Sequence, residues 1–129
     1  MAEQAPSERE LEILKVLWEL GEGSVRDVRE RLHPQGEAHF NTVQTLLRIM
    51  ENKGLVAHRA EGRTFIYFAK HSREKVTRRF LHKVFDGSLD QLVLSLLQTE
   101  DASADELKDL ERLIAKARRA KESRQEEGE

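Results

Sequence analysis

Asn41-Thr42-Val43-Gln44-Thr45-Leu46-Leu47-Arg48-Ile49-Met50-Glu51-Asn52-Lys53-Gly54 decides how the rest of the chain is read. Asn41 is a helix-capping residue type with Gln44 three positions on, and Gly54 stands where a left-handed residue ends a helix. The stretch therefore predicts about thirteen helical residues. Val43, Leu46, Leu47 and Met50 fall on one side of it, while Thr42, Thr45 and Arg48 recur every three residues on the other. The second face carries short hydroxyls and one long cation, with no run of carboxylates. It suits a major groove, where threonine reads base edges or thymine methyl groups and arginine pairs with guanine or a phosphate. An ordinary amphipathic helix has the same periodicity, so the neighbouring segments decide between the two.

Upstream, residues 1–6 read as a loose arm ended by Pro6. Ser7 with Glu10 forms a capping-box pattern for a helix to about Leu20, with Leu11, Leu14, Val16, Leu17 and Trp18 turned inward. Trp18 is the only tryptophan and is expected as a core anchor. Gly21-Glu22-Gly23 breaks the helix, and Ser24 with Asp27 starts a shorter one to about Leu32, with Val25, Val28 and Leu32 on one face. His33-Pro34-Gln35-Gly36 ends it, because proline cannot continue the hydrogen-bond ladder. Residues 37–40 are expected as a short extended piece.

Downstream of Gly54 the pattern becomes strand-like. Leu55 to Arg59 and Thr64 to Phe68 are β-prone, and Ala60-Glu61-Gly62-Arg63 turns between them. Helix, helix, helix, hairpin is the order of a winged helix-turn-helix. Arg59 and Arg63 flank the tip, where a wing meets the sugar-phosphate backbone; the alternative is that they are solvated charges on an exposed edge. Tyr67 reads as a packing residue.

Beyond Ala69 the chain turns all-helical. Ser72 caps a helix to about Phe85 with Val76, Phe80, Val84 and Phe85 on its apolar side, and Asp86-Gly87 breaks it. Ser88 with Gln91 opens a short helix bearing Leu89, Leu92, Val93, Leu96 and Leu97, an apolar density too great for so small a domain to bury alone. Ser103 with Glu106 repeats the capping signature, followed by Leu107, Leu110, Ile114 and Ala117. Acids early in this helix and bases late suit its dipole. The surplus of apolar faces points to a second subunit.

At 129 residues, 38% hydrophobic and 36% charged, the chain can fold but has little core to spare. Its net charge of −2 does not advertise a nucleic-acid ligand, and residues 1–70 hold 10 Lys plus Arg against 11 Asp plus Glu. Residues 38–63, however, carry Arg48, Lys53, Arg59 and Arg63 against Glu51 and Glu61, a local +2. There are no cysteines and the five histidines are scattered, so disulfides, thiolate chemistry and a metal site are not expected. No segment reads as a membrane span or secretory signal, which predicts a cytoplasmic protein without membrane insertion. No nucleophile elbow, phosphate loop or isolated carboxylate pair is present, so neither an enzyme nor a cofactor is expected.

With those segments in order, the chain resembles the BlaI/MecI family of bacterial penicillinase and methicillin-resistance repressors over roughly residues 8–115. The resemblance is carried by Glu10 with Ile13, Leu14, Leu17 and Trp18; Val25-Arg26-Asp27-Val28; the stretch from Asn41 to Arg48 leading into Lys53-Gly54; Gly62-Arg63 with Tyr67; Phe85-Asp86-Gly87-Ser88-Leu89 followed by Leu92-Val93; and Ser103-Ala104-Asp105-Glu106-Leu107. It implies a homodimeric winged-helix repressor that binds inverted repeats in double-stranded DNA, with Thr42, Thr45 and Arg48 on the recognition helix and the wing around Arg63. In the best-known members a membrane sensor with a zinc protease domain triggers cleavage of the repressor, and the matching neighbourhood here is Ser95-Leu96. The other role for Leu96 is dimer core. A copper-responsive branch uses a cysteine-rich motif that this chain lacks.

The expectation is thus a mainly α chain with a small β-hairpin: an N-terminal winged helix-turn-helix over 7–70, a C-terminal helical dimerisation domain over 71–121, and flexible tails at 1–6 and 122–129. Asn41, Thr42, Gln44, Thr45, Arg48, Arg59 and Arg63 are the expected DNA contacts. Val76, Phe80, Val84, Phe85, Leu89, Leu92, Val93, Leu96, Leu97, Leu107, Leu110 and Ile114 are the expected dimer contacts. The competing function is a winged-helix protein adaptor whose Arg48 and Arg63 meet an acidic partner.

Overall fold

The computed structural model describes residues 5–33 and 39–128. The chain divides into two compact units, Met1–Phe80 and Leu81–Glu129. In the first, α1 (Glu8–Leu20), α2 (Val25–Leu32) and α3 (Phe40–Asn52) precede a hairpin of β1 (Val56–Glu61) and β2 (Thr64–Ala69), after which α4 (Arg73–Phe85) begins. This is a winged helix-turn-helix. The second unit takes the end of α4, then α5 (Leu89–Thr99) and α6 (Ala104–Glu127).

Local signals set the first two helix starts. Ser7 and Ser24 each accept a hydrogen bond from the backbone N–H three residues on, and Glu10 and Asp27 reach back to accept from the two cap N–H groups. The third start differs from expectation. Asn41 is already helical, Phe40 is the first residue of α3, and His39 is the cap without a side-chain hydrogen bond. A capping residue must lie outside the helix, so Asn41 cannot serve; packing of Val43 and Leu47 fixes α3 without it. The turn assigned to Pro34 and Gly36, the extended piece over 37 and 38, and residues 1–4 of the arm lie outside the described residues.

The end of α3 follows the sequence closely. Gly54 has φ +83°, its N–H donates to Glu51 O at 3.1 Å, and Leu55 N–H donates to Met50 O at 2.9 Å. That pair of bonds is a Schellman motif, and the accompanying apolar contact positions are filled by buried Leu55 and Met50.

All twelve buried hydrophobic residues among those described lie between Ile13 and Tyr67. On α1 the buried face is Glu10, Ile13, Leu14, Val16 and Leu17, whereas Leu11 is exposed. The sequence predicts Glu10 as a cap and Leu11 on the inner face; the observed stripe instead follows the helical repeat of positions 10, 13, 14 and 17. Glu10 is 2% exposed, and its Oε1 accepts hydrogen bonds from Ser7 N–H and from Lys53 Nζ, both at 2.8 Å. Burial raises the Glu10 pKa, but the bonds from Lys53 and Ser7 outweigh it and leave the carboxyl below its ordinary value.

Gly21-Glu22-Gly23 is more than a break. Gly23 N–H donates to Tyr67 O at 2.9 Å and Tyr67 N–H donates to Gly23 O at 2.8 Å, so the α1–α2 connection forms an antiparallel bridge to the hairpin. Trp18 is half-buried against the core, and its Nε1–H donates to His71 O at 2.9 Å, just before α4. The Arg73 guanidinium lies 5.7 Å from the centroid of the same indole.

In the second unit, Ser88 and Ser103 cap α5 and α6. Asp86 and Gly87 both have positive φ, at 52° and 83°, which turns the chain between α4 and α5. Helix α6 continues to Glu127, beyond the expected end near Lys121, with an Arg118–Glu122 pair one turn apart. No described residue of α4, α5 or α6 is buried.

Replacing Lys53 by Met leaves a buried Glu10 carboxylate without its cation, and the expected loss is about 3 kcal/mol in urea denaturation at neutral pH. Adding Glu10→Leu to that variant should restore most of the loss. Because the folded-state pKa of Glu10 is lowered, its contribution is present above the ordinary carboxylate pKa of about 4.3 and is lost as pH falls through the lowered value. Glu10→Gln should therefore flatten the acid limb of the stability profile below about pH 4.

Candidate nucleic-acid interface

The candidate interface is assembled from α3, the hairpin tip and the start of α2. Helix α3 is pinned from below by Val43, Leu47 and Met50, each 2% exposed or less. Its other side presents Asn41, Thr42, Thr45 and Arg48, all exposed, with Gln44 half-buried toward the hairpin. The three-residue spacing read from the sequence is thus a real surface row, and the burial beneath it fixes its rotation about the helix axis.

The hairpin is antiparallel, with Glu61 opposite Thr64 and only Gly62-Arg63 between the strands. The expected four-residue turn is half that length, and both strands gain residues. Gly62 has φ +63° and is followed by a residue without positive φ, the arrangement of a type II′ turn, whose twist matches that of the strands. Arg63 stands exposed at the tip.

Arg59 lies in a different environment. Its guanidinium donates to Glu22 Oε1 at 2.8 Å and to Glu61 Oε2 at 2.9 Å. Glu22, then Glu61, raise its pKa above the ordinary arginine value. Arg59 therefore ties the hairpin to the α1–α2 connection, and its charge is largely compensated where it stands.

Behind this surface, His58 Nδ1 lies 2.7 Å from Glu51 Oε2, and the imidazole stacks on Phe65 with ring centroids 4.1 Å apart. Tyr67 is 2% exposed. Burial pushes its hydroxyl pKa up, the Glu51 charge adds to that, and Arg48 opposes it. These contacts join β1 and β2 to the last turn of α3, so the wing and the recognition row are braced on one another.

Between α2, α3 and the hairpin runs a groove of about 650 Å³ lined by Ser24, Val25, Arg26, Phe40, Gln44, Arg63, Thr64, Phe65 and Tyr67. Of this set the sequence predicts DNA contacts for Gln44 and Arg63 and none for Arg26, Phe40 or Phe65. Arg26 sits two residues after a capping serine, exposed on α2, and only the packing of α2 beside the hairpin brings it into the same groove as Arg63. The expected dimer residues are elsewhere: Phe80, Val84, Leu89, Val93, Leu96, Leu97, Leu107, Leu110 and Ile114 are exposed, while Val76, Phe85 and Leu92 are half-buried. Leu94 and Leu113 are exposed on the same helices and were missed. Ser95 and Leu96 lie within α5, where its last turn begins.

Among the described residues no group of three or more His, Cys, Asp or Glu side chains could hold a metal ion, and no helix is long and apolar enough to cross a membrane.

The penicillinase repressor family model matches residues 6–116. The penicillinase repressor of Bacillus licheniformis is 29% identical over 112 residues, covering 84% of this chain and 88% of that protein. The methicillin resistance regulatory protein MecI of Mammaliicoccus sciuri is 25% identical over 114 residues, covering 85% and 93%. Among solved structures, the DNA binding domain of the repressor BlaI is 30% identical, with a TM-score of 0.49 over 56% of this chain and 90% of that one.

A Cβ added at Gly62 would meet nothing within 4 Å, so only the positive φ penalises a substitution there. Gly62→Ala should lower stability by about 1 kcal/mol in thermal unfolding, and Gly62→Asn by less, because asparagine is accepted more readily than alanine at the positive-φ position of primed hairpin turns.

Proposed function

The chain belongs to the penicillinase repressor family, and on that premise we propose that it is a cytoplasmic homodimer that represses transcription by binding inverted-repeat operators in double-stranded DNA. The observation that carries the reading is the exposed row Thr42, Thr45 and Arg48 on a helix whose opposite face is fully buried. Such a row enters the major groove with its hydroxyls at base edges and its guanidinium at guanine or a phosphate. Asn41 and Gln44 add amide groups at the N-terminal end of the row, which suits contact with adenine. Arg63 meets the backbone at the wing tip, and Arg59 does so only by exchanging its glutamates for phosphate.

Residues 7–70 form the DNA-binding domain in this reading and residues 71–121 the dimerisation domain. Support for the second part is the set of exposed apolar side chains on α4, α5 and α6, including Phe80, Leu89, Leu97 and Ile114 at about half exposed or more. Full burial of a side chain contributes about 1.5 to 3 kcal/mol, and about half of that is still to be gained by each of these when a second copy of the same helices covers it. Val76, Phe85, Leu92, Val93, Leu96, Leu107 and Leu110 complete that face. Pairing two recognition helices doubles every phosphate and base contact, so operator symmetry mirrors protein symmetry.

No catalytic step, metal or cofactor is needed: occupancy of the promoter excludes polymerase. Release follows from anything that weakens the dimer. A membrane sensor protease that cut at Ser95-Leu96 would detach α6 and part of α5 from the interface and lower occupancy by mass action.

Selection from a random duplex pool should recover an inverted repeat. Arg48→Ala should weaken binding to the recovered site about ten- to a hundredfold while leaving the fold intact. Failure of active dimer to enrich any site would overturn this reading in favour of a protein adaptor. In sedimentation, the pair Val93→Asp and Leu110→Asp should convert a dimer to a monomer, since each buries an unpaired carboxylate at the interface.

A further inference from the structure

The groove between α2, α3 and the hairpin contains a feature outside the recognition row. Its lining, among the described residues, includes Arg26 and Arg63 and no carboxylate. Among the described residues neither arginine has an ion-pair partner, in contrast to Arg59, which Glu22 and Glu61 compensate on the other side of the wing. Ser24, Gln44 and Thr64 add hydrogen-bonding groups along the groove. Two large aromatic side chains line it as well: Phe40 at the start of α3 is 42% exposed and Phe65 at the start of β2 is 47% exposed. Exposed phenylalanines beside uncompensated arginines fit a ligand that alternates apolar rings with anions, as a deoxyribose-phosphate chain does.

We propose that this groove is a clamp for one strand of the DNA backbone, with Arg26 and Arg63 holding phosphate from opposite walls while Phe40 and Phe65 pack on the intervening sugars. The inference rests on the DNA-binding reading and adds Arg26, Phe40 and Phe65 to it. It also divides the arginines by task. Arg48 reads or positions within the major groove, Arg26 and Arg63 grip the strand beside it, and Arg59 braces the wing. A clamp on phosphate and sugar carries no base information, so its loss weakens all sequences alike.

The test is a salt series with the full-length protein on a mixed-sequence duplex and on the selected operator. Each phosphate contact removed lowers the slope of log affinity against log salt by about 0.9, hence by about 1.8 for a dimer engaging two half-sites. Arg26→Ala should show that change, bind about ten- to thirtyfold more weakly per half-site at low salt, and keep the wild-type base preference. Arg26→Lys should retain the slope, and Phe65→Ala should weaken binding with the slope unchanged. Thermal unfolding of each variant separates loss of contact from loss of fold. An unchanged slope for Arg26→Ala beside a lowered one for Arg63→Ala would overturn the clamp, as would a shift in base preference. A wild type that binds no duplex would instead remove the DNA-binding reading itself.

Discussion

A carboxylate inside the core holds the recognition helix in place. Glu10 sits on the buried face of α1, and the Lys53 ammonium reaches it from the end of α3. Burying the Glu10 carboxylate alone is costly, so the partly exposed Lys53 ammonium that meets it ties the end of α3 to the buried face of α1. The same carboxylate also accepts from Ser7 N–H, which joins the start of α1 to the pair. Gly54 and the hairpin follow Lys53 at once, so the geometry set there is passed to the wing. What the ion pair contributes is alignment as well as stability, because Leu47 and Met50 supply the apolar burial beneath α3.

The wing is held from three sides. Gly23 pairs with Tyr67 through two backbone hydrogen bonds, Arg59 reaches Glu22, and His58 lies between Glu51 and Phe65. None of these contacts uses the tip. Gly62-Arg63 therefore projects from a base made rigid by short-range bonds, and the groove beside it keeps its width. This arrangement also reconciles a net charge of −2 with a DNA-binding role. Many of the carboxylates cap helices or compensate particular cations, as Asp27 does at α2 and Glu22 at Arg59. The groove cations without an ion-pair partner among the described residues set the local field that a phosphate would meet.

The second unit is built on a different principle. Its helices are well capped, by Ser88 at α5 and Ser103 at α6, but capping satisfies only backbone donors. Apart from half-buried Leu92, the leucines of α5 and α6 remain exposed, and a helix of this kind gains its stability from what covers its apolar stripe. Among the described residues the first unit buries its own core and the second does not, which supports the proposed division between contact with DNA and contact between subunits.

Much of this was legible in the sequence because it depends on local chemistry. Ser7-Glu10 and Ser24-Asp27 announce their helices, Gly54 announces its Schellman turn, Gly62 announces the hairpin, and the spacing of Thr42, Thr45 and Arg48 announces a surface row. Each requires only a few adjacent residues and their backbone preferences. The start of α3 was misplaced because a good capping residue at Asn41 says nothing about whether packing has already begun the helix. Glu10 was read as a cap alone because its partner Lys53 is 43 positions away. Locally Gly23 is only a break, because its strand partner is Tyr67, and no local pattern brings Arg26 into one groove with Arg63. Local capping, turn and periodicity rules act over a turn or two and are written in the sequence; pairings that span the chain exist only once burial has chosen which faces meet, and those the tertiary structure decided.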